Sequence, residues 1–293
     1  MSGRLYSPLR YPGGKNCIFK FLSNLFYEND LIGIEYSEPY AGGAGLAIHL
    51  LMDGYVSKIH LNDLDEWVYA FWYTILNNKD EFCRWLKNVT IDIDTWRTYK
   101  DMLSHSLNLT QFEKAQAFFF LNRTNISGVI KGGVIGGLLQ KGKYKIDARF
   151  NKIDLINRIE KIYQRRNSIE IYNLDGIDFL KQMNRKHRDI FIYIDPPYVI
   201  KGSNLYLNFY TQSDHTALAQ MVKKLRKGWL ISYDNCELVN SLYNTYDRIS
   251  YKLAQNTSNR IGEEMLIFPS FIEYSNSLSA LSAPQKIGFS IIS

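Results

Sequence analysis

Cysteine is scarce in this chain. Cys17, Cys83 and Cys236 are odd in number and widely spaced. That excludes a disulfide framework and a paired-cysteine zinc site, and it favours a reducing compartment such as the cytoplasm. Histidine is also thin: His49, His60, His105, His187 and His215 form no ligand cluster, so no metal site is expected. No apolar run is long enough to span a bilayer, and no secretory signal is recognisable, so no membrane partner is expected. No segment repeats another.

Charge of one sign is not in large excess overall. Lys and Arg number 35 against 29 Asp and Glu, a net +6. The surplus is local, however. Arg123 to Arg166 carries eleven Lys and Arg against Asp147, Asp154 and Glu160, a net +8 that exceeds the whole chain's surplus. A charge run is by default a solvated face. Here glycines 128, 132, 133, 136, 137 and 142 interleave with Lys131, Lys141, Lys143, Lys145 and Arg149. A long, irregular, basic segment of this kind, Ile126 to Phe150, reads as a hairpin-bearing loop that contacts nucleic acid.

The strongest local signal is Asp195-Pro196-Pro197-Tyr198, preceded by Ile190-Phe191-Ile192-Tyr193-Ile194. Five apolar residues read as a strand buried on both faces. Proline cannot donate to a sheet ladder, so the strand stops there. The residue before each proline is pushed into an extended conformation, which stiffens the Asp195 carboxylate and the adjoining carbonyls. Open α/β sheets place their sites at the carboxyl ends of strands. A stiff loop with an acceptor, a carbonyl and an aromatic face suits a flat molecule bearing an amino group. The plainer reading is a strand-ending turn with an accidental Asp.

Other stretches agree with the sharper reading. Arg10-Tyr11-Pro12-Gly13-Gly14-Lys15 precedes an apolar-periodic helix from Cys17 to Leu25. Bare glycine N–H groups at a helix start, with Lys15 beside them, offer an anion site. Gly33 to Ser37 reads as a strand, followed by Glu38-Pro39-Tyr40-Ala41-Gly42-Gly43-Ala44-Gly45 and a helix over Leu46 to Met52. That is the start of a nucleotide-binding βαβ unit. The next strand, Lys58 to Leu61, ends in Asn62-Asp63, the position expected to clamp a ribose. Leu64 to Leu121 reads as mostly helical, with Trp67, Phe71, Phe82 and Trp85, which recur at helical spacing, taken as core. Asn151 to Arg165 is a helix, Ser168 to Asn173 a strand, Gly176 to Met183 a helix. Tyr206 to Tyr210 is short and aromatic, and Ser213-Asp214 caps a helix to Arg226. Trp229 to Tyr233, Arg248 to Leu253 and Met265 to Phe268 complete the strands, with a polar loop from Gln255 to Glu263. Alternating strands and helices argue a mostly parallel α/β sheet.

Taken together, these stretches, with Leu121-Asn122-Arg123-Thr124-Asn125 and Ser232-Tyr233-Asp234-Asn235, resemble the Dam-like DNA adenine-N6 methyltransferases. Gly202, Tyr206, Asn208-Phe209-Tyr210 and Asp214-His215 fit the family's pattern after the Asp-Pro-Pro-Tyr loop. The resemblance spans nearly the whole chain, in the family's order. It implies a Rossmann-like S-adenosylmethionine-dependent core with a mixed, mostly parallel sheet, over residues 1–73 and 151–274. A mainly helical target recognition domain would be inserted at 74–150. The tail, 275–293, carries no expectation.

The resemblance also implies roles. Tyr11, Gly13, Gly14 and Lys15 would contact S-adenosylmethionine. Glu38, Pro39, Tyr40, Ala41, Gly42 and Gly43 would wrap its amino-acid end. Asp63 would hold its ribose, Asp175 its adenine, and Asp195 would face it. Asp195, Pro196, Pro197 and Tyr198 would be catalytic. Arg123, Asn125, Ser127, Lys131, Lys141, Lys143 and Arg260 would contact double-stranded DNA. A monomer is expected, with a cognate restriction endonuclease as a candidate partner. Ile126 to Lys131 departs from the family members that read GATC, which implies other base contacts. Tyr40 and Ala44 stand where Phe and Gly are frequent. Amino-group transfer to cytosine, RNA or protein, a catalytically silent DNA-binding relative, and a nicotinamide dehydrogenase are the competing readings.

Overall fold

The computed structural model describes residues 5–11, 13–104, 108–186, 189–199, 210–254 and 261–287. Five strands run parallel: β1 (Glu35–Glu38), β2 (Lys58–Asn62), β3 (Ile169–Tyr172), β4 (Ile190–Ile194) and β5 (Trp229–Asp234). Antiparallel strands β6 (Asp247–Ala254), β7 (Ile261–Phe268) and β8 (Gln285–Ile287) extend the sheet. Their order is β3-β2-β1-β4-β5-β7-β6-β8. The order reverses between β1 and β4, which is where such sheets open a crevice at their carboxyl ends.

The alternation along β4 shows how the sheet is buried. Phe191 and Tyr193 join one hydrophobic cluster, while Ile190, Ile192 and Ile194 join the other. The first cluster gathers α1 (Phe19–Glu28), α2 (Gly45–Met52), α3 (Glu66–Asn77), α4 (Lys79–Asn88), α5 (Ile93–Met102), α6 (Gln111–Thr124) and α7 (Lys152–Gln164). The second gathers α8 (Gly176–Arg185), α9 (Gln212–Val222) and α10 (Glu237–Leu242). Both faces of β4 are therefore dry, and a large-to-small change there would cost about 2–5 kcal/mol.

Helix starts follow side-chain chemistry. Thr110 and Glu113 form a reciprocal capping box on α6. On α9 the cap is Thr211, with Asp214 as its reciprocal partner; the expected Ser213-Asp214 cap is therefore corrected by two residues. Trp67, Phe71 and Phe82 are core, as expected, and half-buried Trp85 packs against them: Phe71 stacks on Phe119 at 5.3 Å, and both belong to the cluster that reaches the sheet. The expected boundary at 73/74 falls inside α3.

Two further differences concern the end of the chain. The polar loop expected to reach Glu263 is shorter, because Ile261 to Glu263 already pair with β6. The tail also belongs to the sheet. Glu28 of α1 accepts bonds from the Asn276 and Ser277 N–H groups and the Ser277 hydroxyl, and Gln285–Ile287 pairs with β6. A Ser-rich composition gave no periodicity from which to read this. Of the short aromatic stretch Tyr206 to Tyr210, residues 206–209 lie outside the described residues, as do Gly202, Pro12 and Arg260.

Candidate active site

The carboxyl ends of β1, β2 and β3 are fastened by one buried side chain. Asn62 donates to the Pro39 and Leu174 carbonyls and accepts from the Leu174 N–H, at 2.8–3.0 Å. Beside it, Asp63 accepts from the Gly42 N–H at 2.8 Å and from the Asp65 N–H at 3.0 Å. The ribose candidate thus also holds the glycine loop in place. Burial, and then Asp65, push its carboxyl up to about 7. Glu38 is buried deeper, accepts from the Tyr36 hydroxyl at 2.8 Å, and is pushed up to about 8 chiefly by burial. No cation pairs with Glu38 among the described residues. A buried carboxyl in that state suits a ligand ammonium, and a half-buried Asp63 suits hydroxyls, so the residues fit S-adenosylmethionine.

The glycines of this loop also make room for a neighbouring side chain. A Cβ on Gly42 or Gly43 would come within 2.6–2.8 Å of Tyr11. The close approach is therefore to Tyr11, which lies across the loop. Gly42 and Ala44 both adopt the left-handed region, at φ 46° and 45°. Tyr40 lies against Gly176, and its hydroxyl meets that of Tyr210 at 2.8 Å. Asp175 is exposed and caps α8 through bonds from the Ile177 and Asp178 N–H groups.

On the neighbouring strand, Asp195 leaves β4 with its side chain 21% exposed. Its Oδ1 accepts from the Ser232 hydroxyl at 2.6 Å, and Ser232 in turn meets the Tyr193 hydroxyl at 2.7 Å. Lys15 Nζ lies 3.2 Å from the same oxygen. Burial pushes the Asp195 carboxyl up, while Lys15 and Ser232 oppose the shift. Two residues after Ser232, Asp234 accepts from the Val199 N–H at 3.1 Å. One strand end thus holds the loop at Asp195 and again at Val199. Tyr198 lies 4.8 Å below Lys15 Nζ, and its hydroxyl is buried with no hydrogen-bond partner among the described residues.

Lys15 corrects an expectation. It does not project from a helix start as a free anion contact. It is buried, donates to the Gly13 carbonyl at 2.9 Å, and lies between Asp195 and Glu264, the latter at 3.6 Å. Gly13 and Gly14 remain exposed beside it, Gly13 at φ 75°.

The DNA candidates divide into two groups. Lys131, Lys141 and Lys143 are exposed, and Ser127 is half-buried at φ 56°. Asn125 is wholly buried: its Oδ1 accepts from the Trp96 indole at 2.7 Å and its amide donates to the Val129 and Ile130 carbonyls. Arg123 donates to the Arg149 and Pro8 carbonyls. Burial first, then Arg10 and Arg158, lower it to about 9. The structure therefore gives Asn125 and Arg123 a loop-building place in the fold. The expected hairpin is a single antiparallel bridge, Asn125 with Val134, followed by turns.

Ser232, Asp234 and Glu264 were absent from the expected site residues. Ser232 and Asp234 lie in a stretch that the family resemblance already matched. Glu264 gave only a faint signal, an acid leading into the apolar run Met265 to Phe268. Among the described residues, no group of three or more His, Cys, Asp or Glu could hold a metal, and no helix is long and apolar enough to cross a membrane.

A mixed sheet with a glycine loop and a rigid acidic loop on either side of its switch point defines an S-adenosylmethionine-dependent methyltransferase core. Residues 11–257 match the family of D12 class N6 adenine-specific DNA methyltransferases, and the chain belongs to it. It is an adenine-specific DNA methyltransferase whose methyl donor is S-adenosylmethionine. Type II methyltransferase M.MjaIII of Methanocaldococcus jannaschii is 24% identical over 237 residues, which cover 75% of this chain and 80% of that protein. Among solved structures, rRNA methyltransferase aviRa from Streptomyces viridochromogenes aligns at TM-score 0.36 and 10% identity, over 95% of this chain and 93% of that one. Protein LPL1258 from Legionella pneumophila aligns at TM-score 0.40 and 9% identity, over 99% of each chain.

Proposed function

We propose that the chain methylates a specific adenine in duplex DNA after extruding it from the helix, with Asp195 and the Pro196 carbonyl accepting the two N–H bonds of the amino group. The observation that carries this reading is the fixing of Asp195 Oδ1 by Ser232 and Lys15 at the carboxyl end of β4, which pairs with the strand that leads into the glycine loop. With Oδ1 engaged, Oδ2 is the oxygen offered to the substrate. An exocyclic amino group has its lone pair delocalised into the ring and is a poor nucleophile. Two acceptors favour a pyramidal nitrogen and stabilise the positive charge that develops there. The cofactor supplies an electrophilic methyl group. Pro197 keeps the loop extended, and Tyr198 offers the ring face opposite Lys15 for stacking, worth roughly 1–3 kcal/mol. Extrusion of the base costs a few kcal/mol.

In this reading Glu38 takes the cofactor's ammonium, Asp63 its ribose and Asp175 its adenine, while Tyr11, Gly13, Gly14 and Pro39 to Gly43 shape the walls. Lys15 acts through Asp195. The helical block and its basic loop, roughly 74–150, form the recognition region, with Lys131, Lys141 and Lys143 on phosphates or bases. The type II name of the relative makes a cognate endonuclease a reasonable partner. Sequencing modified bases in DNA from cells expressing the chain tests this directly. N6-methyladenine in one sequence context is expected, and unmodified DNA would refute it. Lys131→Ala should weaken binding and reduce the salt slope of log Kd by about 1.

A further inference from the structure

We infer that Glu264 sets the net charge of the transfer chamber and thereby makes the enzyme prefer its cationic cofactor over the neutral by-product. The inference rests on the reading above, in which the sulfonium faces the amino group held by Asp195. Lys15 is one ammonium between two carboxylates, 3.2 Å from Asp195 and 3.6 Å from Glu264. Glu264 is held in turn by the Tyr251 hydroxyl at 3.0 Å. All three charged side chains are largely withdrawn from water, with 5%, 21% and 11% of Lys15, Asp195 and Glu264 exposed. Among the described residues, Lys15 is the cation that pairs with either acid.

The count therefore leaves one negative charge in excess. Lys15 and Asp195 alone would be neutral. Asp195 needs only Lys15 and Ser232 to fix its Oδ1, so Glu264 is surplus to that task. Burying a second carboxylate without a second cation is costly, and the cost is offset if a cation binds beside it. The reaction supplies one. The S–CH3 bond breaks with its electron pair left on sulfur, while the amino lone pair forms the new N–C bond. The positive charge thus passes from sulfur to nitrogen, and the nitrogen then gives up a proton to solvent water. S-adenosylmethionine and the freshly methylated adenine are both cationic in this chamber. S-adenosylhomocysteine is neutral at sulfur, and it gains nothing from Glu264.

The test is calorimetric titration of the full chain, without DNA, using S-adenosylmethionine, S-adenosylhomocysteine and sinefungin, which carries an ammonium where the cofactor carries its sulfonium. Glu264→Gln should weaken both cationic ligands about three- to tenfold, as loss of one partly screened unit charge implies. It should leave S-adenosylhomocysteine within about twofold. Glu264→Asp should keep most of the wild-type ratio. If Glu264→Gln fails to fold, Glu264→Leu removes the same charge without burying a polar group. Equal weakening of all three ligands would show Glu264 to be structural and overturn the inference, as would an unchanged ratio. If wild-type protein binds none of the three, the reading of the whole site falls with it.

Discussion

Two charged clusters sit at opposite ends of the same sheet. At the amino ends of β1, β2 and β3, His60 Nε2 lies 2.7 Å from Glu35, and Glu170 meets Lys58, Lys186 and the Tyr172 hydroxyl. Burial lowers the His60 pKa and favours its neutral form. Two lysines then face two glutamates. At the carboxyl ends, one lysine faces Asp195 and Glu264. The balanced cluster closes on itself and needs no ligand. On the reading proposed above, the unbalanced one is completed by a cationic ligand. Charge bookkeeping, more than burial, separates the structural cluster from the chemical one.

The largest test of that contrast is Asp195→Ala. Methyl transfer in single turnover should fall by at least about 10²–10³-fold, while the cofactor and DNA still bind. Wild-type rates in this variant would remove Asp195 from the chemistry. Next is proton release. Glu38 and Asp63, held at about 8 and about 7 in the free protein, are partly protonated near neutrality. A cationic ligand favours the ionised form of Glu38, so binding at pH 7 should expel protons and tighten as pH rises toward 8. Calorimetry in buffers of different ionisation enthalpy reads this directly, and Glu38→Gln should remove most of the effect.

At the balanced end the expected loss is in stability rather than rate. Burial pushes Glu170 up, but bonds from Lys58 and Tyr172 outweigh it and hold the carboxyl at about 2. Its folded value is depressed, so its contribution is present above the ordinary carboxylate range and disappears as pH falls toward 2. Glu170→Gln should cost about 0.5–1 kcal/mol at pH 7 in urea titrations, discounted because the side chain is partly exposed. The two stability curves should converge near pH 2–3, with methyl transfer unchanged at pH 7. An effect of similar size but opposite sign is expected for Ala44→Gly. Ala44 is left-handed at φ 45°, a region that costs an L-residue about 1–2 kcal/mol, partly offset by glycine's greater entropy loss. A gain of roughly 0.5–1 kcal/mol in the unfolding midpoint analysis is expected.

The parallel strands and most helices were legible because their signals are local. Ile190 to Ile194 could only be a dry strand, and Asp195-Pro196 could only end it. The partners of Asp195 were harder to read. Ser232 reaches Asp195, and Glu264 reaches Lys15, through strand order and register, which periodicity does not encode. Lys15 was recognised as a site residue, but its direction depended on Glu264, on a strand far away in the chain. Asn125 was misjudged because a polar residue after an exposed-looking Asn-Arg pair gives no hint that Trp96 will seek its side chain. The tail was silent because its three-residue strand is shorter than any reliable alternation.

That short last strand has a practical side. Gln285–Ile287 covers the outer edge of β6, which otherwise ends the sheet. A chain cut after Tyr274 would lose this cover along with the clasp on Glu28. It would then offer an open ladder to any neighbouring molecule, a known route to aggregation. Shortened versions intended for crystallisation or fusion should therefore keep the chain through Ile287.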